Sequence, residues 1–443
     1  MINIMMFTLL FTFTLLIYTK KYSGYPLLLI PAYYLLIDYA NYSLNLSDGV
    51  LGLIAKSYNE LLLIGTALLV LSSTINRGEA PKKATIFIGI SLLFLLGGII
   101  KNDPTTAILD WRSSVAPIVI AWLAAEAKLL KTATLANILG MTAWLMTLNS
   151  IYAVFQSYTF NGNIEEYWRY TFLLEEKLKA NPEYETRFIY YQLLRDDELR
   201  SSGLFVSALQ YSYSAAFASF YFIVKIFGAV KTKQTGLLTL YIAGAAICIA
   251  GVLASQVRAS LITLIISLAT YFACYHPRGK EKFKHRRALL LLSASVLTYA
   301  LALLLFGTKF DSSVQGRIVQ YTYGLQNFKI TGFWPGSFKG QFDSYYLYAS
   351  MTFGAALFFW IYFILTSYSS IYKKINSANL SPKENFNTVI AFCTIPAAMV
   401  LACFQHLAGS LYYQIVWLLL FALLKTTKAQ ACPDSQPYSA TTR

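Results

Sequence analysis

The chain has 443 residues, of which 56% are hydrophobic and 13% charged, with a mean hydropathy of +0.51 and a formal net charge of +15. This balance excludes an ordinary water-soluble domain, and the continuous apolar runs exclude a β-barrel, whose strands would alternate apolar and polar residues. Lys and Arg sit mostly in short loops, so the positive charge points to the sidedness of a membrane protein and away from a nucleic-acid partner.

Apolar runs long enough to cross a bilayer as helices are read at about 2–18, 24–40, 49–72, 84–101, 113–130, 134–156, 204–229, 236–254, 259–275, 288–306, 345–370, 386–404 and 408–425. The expected fold class is all-α and polytopic, with about 12–13 transmembrane helices and a helical loop domain outside them. An N-terminal transmembrane bundle (1–156) leads into a loop domain (157–203). Further transmembrane helices follow with the Arg258 turn among them (204–306), then a second outward loop (307–344), the C-terminal transmembrane helices (345–425) and a tail (426–443). In the third run Lys56 and Glu60 stand at i, i+4, which fits a paired interfacial helix as well as a pair at membrane depth. The first run has no basic leader and no small-residue cleavage site, so it reads as a retained span. Cys248, Cys274, Cys393 and Cys403 fall in or beside apolar runs and Cys432 lies in the tail. None has metal-ligand spacing, and all read as packing residues.

Basic residues concentrate in the loops after the odd-numbered runs, most densely in His276–Arg287, which places those loops and the tail from Lys425 in the cytoplasm. Segments 157–203, 255–258 and 307–344 then face outward. Arg200, Arg258 and Arg317 emerge on that side, where positive-inside sorting supplies no reason for them. Each alone fits snorkelling toward lipid headgroups; three on one face fit an anionic ligand. Within 157–203, the stretch from Glu165 to Lys177 reads as an amphipathic helix with Tyr167, Trp168 and Leu174 on its apolar side. Asn181-Pro182 breaks it, and a second helix runs through Phe188, Ile189, Leu193 and Leu194 to end before Gly203. The acidic residues of this loop read as the solvated faces of the two helices.

The stretch from Asp311 to Leu347 carries the most chemistry. It holds Arg317 in a helical context, a turn-rich Gly332-Phe-Trp-Pro-Gly336 and Asp343 at the mouth of the next apolar run. A Walker loop, a dinucleotide fingerprint, a serine elbow and a metal-ligand cluster are all absent from the sequence, so neither cofactor nor metal is expected. Chemistry would then rest on Arg, Asp or Glu, Tyr and His406. A lipid pyrophosphate brings its own leaving group, and guanidinium groups hold phosphates bidentately and neutralise the departing charge. Arg258 and Arg317 are the candidates for that task, with Arg200 sharing it or locking the loop. Asp343 is a candidate general base or orienter of an attacking hydroxyl, and equally a helix N-cap. Tyr321, Tyr323, Trp334, Tyr345 and Tyr346 could stack on sugars or belong to an interfacial aromatic belt. His406 reads as an outward-facing base or as a hydrogen-bonded packing residue.

Taken together these groups resemble the O-antigen polymerase and O-antigen ligase superfamily, membrane enzymes of bacterial cell-surface glycan assembly. Arg200-Ser-Ser-Gly-Leu-Phe205 is similar to the family's R-x-x-G-x-F segment, and Ala254-Ser-Gln-Val-Arg-Ala-Ser260 to its S-R-A/G turn. Gly316-Arg317 followed by Gly332–Gly336 resembles the second periplasmic arginine and the glycine-rich element after it. Asp343-Ser-Tyr-Tyr-Leu347 with Gly354 resembles the polymerase form D-N/S-x-Y/F-L. The likeness runs from about Arg200 to Gly354, and the first 150 residues share only hydropathy. The family's N-P-N is absent, Val206-Ser-Ala-Leu-Gln210 standing in its place. Ligases carry H-N-x-x-L where this chain has Asp343, so the polymerase branch is the nearer one.

The resemblance implies a glycosyltransferase of the bacterial inner membrane with its active site toward the periplasm and no cofactor. It would polymerise polyprenyl-pyrophosphate-linked oligosaccharides into O-antigen, capsule or exopolysaccharide. Membrane lipids surround such an enzyme, and a chain-length regulator and a flippase are its implied partners. The alternatives are a ligase transferring polysaccharide to lipid A-core, a non-enzymatic assembly subunit, and a transporter, for which Lys56/Glu60 is the only candidate buried pair.

Overall fold

A computed structural model describes residues 24–43, 58–75, 82–174, 192–195, 197–275, 312–338, 341–375, 380–403 and 405–429. The runs expected at 2–18 and 288–306, Lys56, Phe188, Ile189 and the basic loop His276–Arg287 lie outside them. The described chain is helical apart from one two-stranded hairpin. In order it forms α1 (Tyr25–Leu28), α2 (Ile30–Ser43), α3 (Tyr58–Ile75), α4 (Lys82–Lys101), α5 (Pro104–Ser114), α6 (Ala116–Glu126) and α7 (Thr132–Thr159). A 3-10 turn at Ile164–Glu166, α8 (Trp168–Leu173), β1 (Leu194–Arg195) and β2 (Glu198–Leu199) follow. The rest is α9 (Ala208–Thr232), α10 (Thr235–Ala254), α11 (Arg258–Tyr275), α12 (Ser312–Gln326), α13 (Tyr345–Phe353), α14 (Ala356–Ile375), α15 (Pro382–Leu401) and α16 (Leu411–Ala429).

By length and composition α7, α9, α10 and α15 can cross a membrane, and α5 with α6, bent by 53°, make a fifth if they form one broken span. α3, α4, α11, α14 and α16 contribute shorter apolar stretches. Two expected spans are divided by backbone chemistry. The run at 113–130 breaks at Val115 because Pro117, next to the start of α6, has no N–H to carry the α5 ladder forward. The run at 345–370 breaks at Gly354, which has φ +57° and whose Cβ, if present, would lie 2.0 Å from the Ile330 carbonyl oxygen. Only glycine fits a left-handed position crossed so closely by another backbone. The second helix expected in 157–203 also differs. Leu194 lies in β1, and Asp197, at φ +63°, turns the chain into β2.

Contacts between helices define two ends of the bundle. At the basal end the Asn387 amide donates to the Thr132 carbonyl (3.0 Å) and the Lys225 ammonium lies 4.0 Å from the Phe386 ring centroid. At the apical end the Val206 N–H donates to Asp38 (3.0 Å) and the Ser201 N–H to the Ala254 carbonyl (3.2 Å). α15 starts at the basal end with a reciprocal Ser381/Glu384 capping box and rises about 30 Å to Leu401. The interior between these ends holds one large apolar core and a smaller one of Val70, Trp111, Ala116, Val119 and Leu123. The outer faces are apolar too: Leu148, Phe155, Ile265, Phe358 and Phe359 are all exposed. In the third expected run Glu60 forms an ion pair with Arg112 of α5.

Candidate functional site

Two apical loci carry the residues singled out by the sequence. The first is built on α12. Arg317, Gln320 and Tyr321 stand at i, i+3 and i+4 and share one helix face. That face meets the chain just before α13. Gln320 Oε1 accepts the Asp343 N–H (3.0 Å), and the Tyr321 hydroxyl lies 2.9 Å from Ser344 Oγ and 2.5 Å from the Cys403 carbonyl oxygen. Arg317 Nε and Asp343 Oδ2 are 3.8 Å apart, an ion pair and not a hydrogen bond. The Arg317 side chain is mostly covered, its Nε buried without a hydrogen-bond partner, whereas the Asp343 carboxylate is more than half exposed. Asp343 does not cap α13. Ser344 does, accepting the Leu347 N–H (3.3 Å), which leaves the Asp343 carboxylate outside the helix with Arg317.

The turn-rich segment before Asp343 clips onto α13 through its backbone. The Phe333 N–H donates to Met351 O (2.8 Å), the Trp334 N–H to Thr352 O (3.0 Å), and the Ala355 N–H to Ile330 O (2.8 Å). Trp334 is held at φ +73°, a conformation that costs a non-glycine residue about 1–3 kcal/mol. The strain is sustained by that hydrogen bond and by ring contact with Phe94 (5.4 Å between centroids). Trp334 is thus spent on packing, with the Lys101 ammonium 5.4 Å from its centroid. Tyr345 is buried in the core, and the partly buried Tyr346 lines a void of about 20 Å³ inside the bundle with Tyr413 and Trp417. Tyr323 is exposed on α12 with its ring 6.3 Å from that of Phe342, and of the aromatic candidates Tyr321 is the one hydrogen-bonded beside the Arg317–Asp343 pair.

The second locus surrounds Arg258. Gln256, at φ +54°, makes the turn between α10 and α11, and the exposed Arg258 opens α11. The hairpin grips this turn: Arg195 Nη1 donates to Gln256 O (3.4 Å) and Gln256 Nε2 to Glu198 Oε2 (2.5 Å). Arg200 follows β2. Its N–H donates to Leu193 O (2.7 Å), and its carbonyl accepts from the buried Arg169 (2.8 Å). The next residues are clamped from α7. Gln156 binds both polar backbone groups of Gly203, and Asn149 Oδ1 accepts the Leu204 N–H (2.9 Å). At φ +62°, with a Cβ that would fall 2.2 Å from the Asn149 side chain, position 203 admits only glycine. The glycine of Arg200–Phe205 therefore serves the clamp. Sequence reasoning missed Asn149, Gln156, Arg169 and Arg195, and the first two were legible as amides in an otherwise apolar run.

Beneath α13 lies a polar group that the sequence did not announce. Asp110, fully buried on α5, accepts the Gly336 N–H (2.7 Å), and the buried Tyr348 hydroxyl is set against Asp110 and Ser114. His406 is partly buried in the turn between α15 and α16. Its ring stacks on Tyr348 (4.0 Å, 22°), and its Nε2 lies 3.3 Å from Ser114 Oγ. Burial pushes the imidazole pKa down to about 4. His406 therefore sits under α13 as a neutral packing partner and does not face outward beside Asp343. Among the described residues no group of three or more His, Cys, Asp or Glu side chains could hold a metal ion. No protein-family model, curated protein or solved structure matches this chain.

Proposed function

We propose that the chain is a multi-pass enzyme of the bacterial inner membrane that polymerises polyprenyl-pyrophosphate-linked oligosaccharides into a cell-surface polysaccharide, working from its apical, periplasmic end. The observation that carries this reading is the Arg317–Asp343 pair: a mostly covered guanidinium with an unsatisfied Nε beside an exposed carboxylate. Arg258 and Arg200 stand at the same end of the bundle and supply further positive charge for an anionic lipid headgroup. The apolar outer faces are what helices solvated by hydrocarbon carry, since in water each would cost about 25 cal/mol per Å².

In the reaction, Arg317 and Arg258 hold the pyrophosphate of the donor, and Asp343 accepts the proton of the acceptor hydroxyl. The hydroxyl oxygen bonds to the anomeric carbon from the side opposite the leaving group. The bond from that carbon to the pyrophosphate oxygen breaks, the electron pair leaves with the pyrophosphate, and the configuration inverts.

Supplying the purified protein with lipid-linked repeat units alone tests the activity: chain elongation is expected, and an accessory subunit would give none. In cells, Arg317→Ala and Arg258→Ala should both leave the protein in the membrane and abolish long-chain glycan. Full-length polymer from both variants would sink the assignment. A deletion strain separates the ligase alternative, since a glycan stopped at one repeat marks a polymerase and free unligated polymer a ligase.

A further inference from the structure

We propose that a notch at the basal end of the bundle, where α7, α9 and α15 meet, binds the phosphate of an anionic phospholipid through Lys131, Lys225 and Lys383. Contacts among the three helices form the notch. The Asn387 amide of α15 donates to the Thr132 carbonyl at the start of α7 (3.0 Å), and the neighbouring Phe386 meets Tyr221 of α9 edge to face (5.3 Å, 89°). Lys225 stands one turn after Tyr221. Its half-buried ammonium lies 4.0 Å from the Phe386 ring centroid and 5.5 Å from that of Tyr221. Lys383, one turn before Asn387 on α15, is near enough for the two ammonium charges to repel each other. Lys131 is the N-cap residue of α7 and immediately precedes the Thr132 that Asn387 holds.

Positive-inside sorting accounts for lysines in loops, and Lys225 is not in one. Seven residues, about 10 Å of helix, separate it from the end of α9 at Thr232. A charge at such a place calls for a partner. Ring faces stabilise an ammonium without neutralising it, and among the described residues no carboxylate pairs with Lys131, Lys225 or Lys383. The acid next to Lys383, Glu384, closes the capping box with Ser381. Two helix N-termini add to the positive field: α7 and α15 both begin here, and no side chain caps the first N–H groups of α7. Positive charge gathered from three helices fits an anion, and depth selects its source. Phe227 and Val230, nearer the end of α9 than Lys225, are 42% and 57% exposed, so lipid and not water surrounds the helix at the level of the ammonium. The anion that a membrane supplies there is a phospholipid phosphate, and basic pockets between membrane helices are where such headgroups bind. A dissolved phosphate or an acidic protein segment would have to leave water to reach Lys225. The notch does not depend on the enzymatic activity proposed above.

The test uses the full chain in phosphatidylcholine nanodiscs with a small fraction of phosphatidylglycerol that bears a diazirine on its headgroup, followed by peptide mapping of the label. Label is expected on the first turns of α7 and α15 and around Lys225 of α9. Unlabelled phosphatidylglycerol should displace it and added phosphatidylcholine should not. A lysine near the membrane surface favours anionic lipid about fivefold, so joint Lys131→Gln and Lys383→Gln substitution should weaken labelling roughly twentyfold. Both positions are exposed, so this pair decides the question even where Lys225→Gln fails to fold. Lys225→Gln should weaken labelling as well, and Lys225→Arg, which keeps the charge over the rings, should retain it. The control removes the same charge from the same end of the bundle: Lys231 and Lys233 are exposed at the end of α9, and their joint replacement by Gln should leave labelling unchanged. Equal losses from the two pairs overturn the proposal, because the lysines would then act only as a diffuse field. Label spread evenly over all lipid-facing helices overturns it too. So does displacement by inorganic phosphate, which would make the ligand a soluble anion.

Discussion

Two polar groups flank α13, and they differ in how far water reaches them. Above its N-terminus, Arg317 and Asp343 meet loosely at 3.8 Å with the carboxylate in solvent. Below it, Asp110, Ser114 and Tyr348 are fully buried and His406 partly so, each packed against another or against backbone. The residue types are alike: a carboxylate, a tyrosine, and a cation or an imidazole. Burial assigns the lower set to scaffolding, because its members meet one another and the Gly336 backbone inside the protein, where solvent does not reach Asp110, Ser114 or Tyr348. A loose ion pair with its carboxylate in solvent contributes little stability, so the upper set keeps groups available for a ligand.

The largest expected effect on stability falls on the lower set. Asp110→Ala removes the buried acceptor of the Gly336 N–H and the carboxylate beside the Tyr348 hydroxyl, leaving Ser114 as the polar side chain next to it. The cost should be about 3 kcal/mol, read as a lowered midpoint in denaturant titration of the detergent-solubilised protein. Asp110→Asn retains an acceptor oxygen and should recover most of the loss. A wild-type midpoint for the alanine variant would erase the distinction between the two groups.

His406 gives the same set a pH signature. Its pKa in the folded chain is about 4 against an ordinary value of 6.5, so between those values the unfolded chain binds a proton that the folded chain does not. This contribution to stability is complete above about pH 6.5 and is lost as the pH falls toward 4. Part of the ring reaches the surface, which trims the effect to about 2 kcal/mol. His406→Gln should flatten the stability profile across that window; an unchanged slope would place its origin in other groups.

How much of this was legible in the sequence follows from range. Arg317 in a helix and the Gly332–Gly336 turn were legible because helix periodicity and turn chemistry are local. So was Arg258 at a tight turn between apolar runs. The Asp110–Gly336 bond was not, because it joins positions 226 residues apart and each end looks ordinary by itself. Asp343 was ambiguous for another reason. Asp and Ser are both good N-caps and stand side by side, and the choice of Ser344 is made by Tyr321 and the Ala402 carbonyl, which reach it from two other parts of the chain. The breaks at Val115 and Gly354 were written locally, in Pro117 and Gly354. Hydropathy averages over such positions and reads each pair of helices as one span.

Ser344 lies between the two sets, and its replacement measures the cap alone. Ser344→Ala loses the bond to the Leu347 N–H and the contact with Tyr321. A loss of about 1 kcal/mol is expected. Ser344→Asp should restore the cap while adding charge next to Asp343. If the alanine variant were as stable as wild type, α13 would be held in place without its cap, by the backbone clip from Ile330, Phe333 and Trp334 and by the Tyr345 N–H bond to Ala402 O.

The smallest expected effect on stability carries the sharpest test of the comparison. Asp343→Asn keeps the shape and an acceptor oxygen and removes only the charge and the basicity. A loose pair at 3.8 Å whose carboxylate is more than half exposed predicts a stability change below about 0.5 kcal/mol. As acceptor of the hydroxyl proton, however, Asp343 should contribute about 10²–10⁴-fold to the rate. The two numbers come from one substitution and move independently. Elongation by purified Asp343→Asn should fall by that factor while its denaturation midpoint stays at the wild-type value. The loss should appear in kcat more than in KM, since the arginines that hold the donor are untouched. A variant with full kcat would reduce Asp343 to a counter-ion for Arg317, and the division between a committed interior and an available surface would then fail at its most exposed residue.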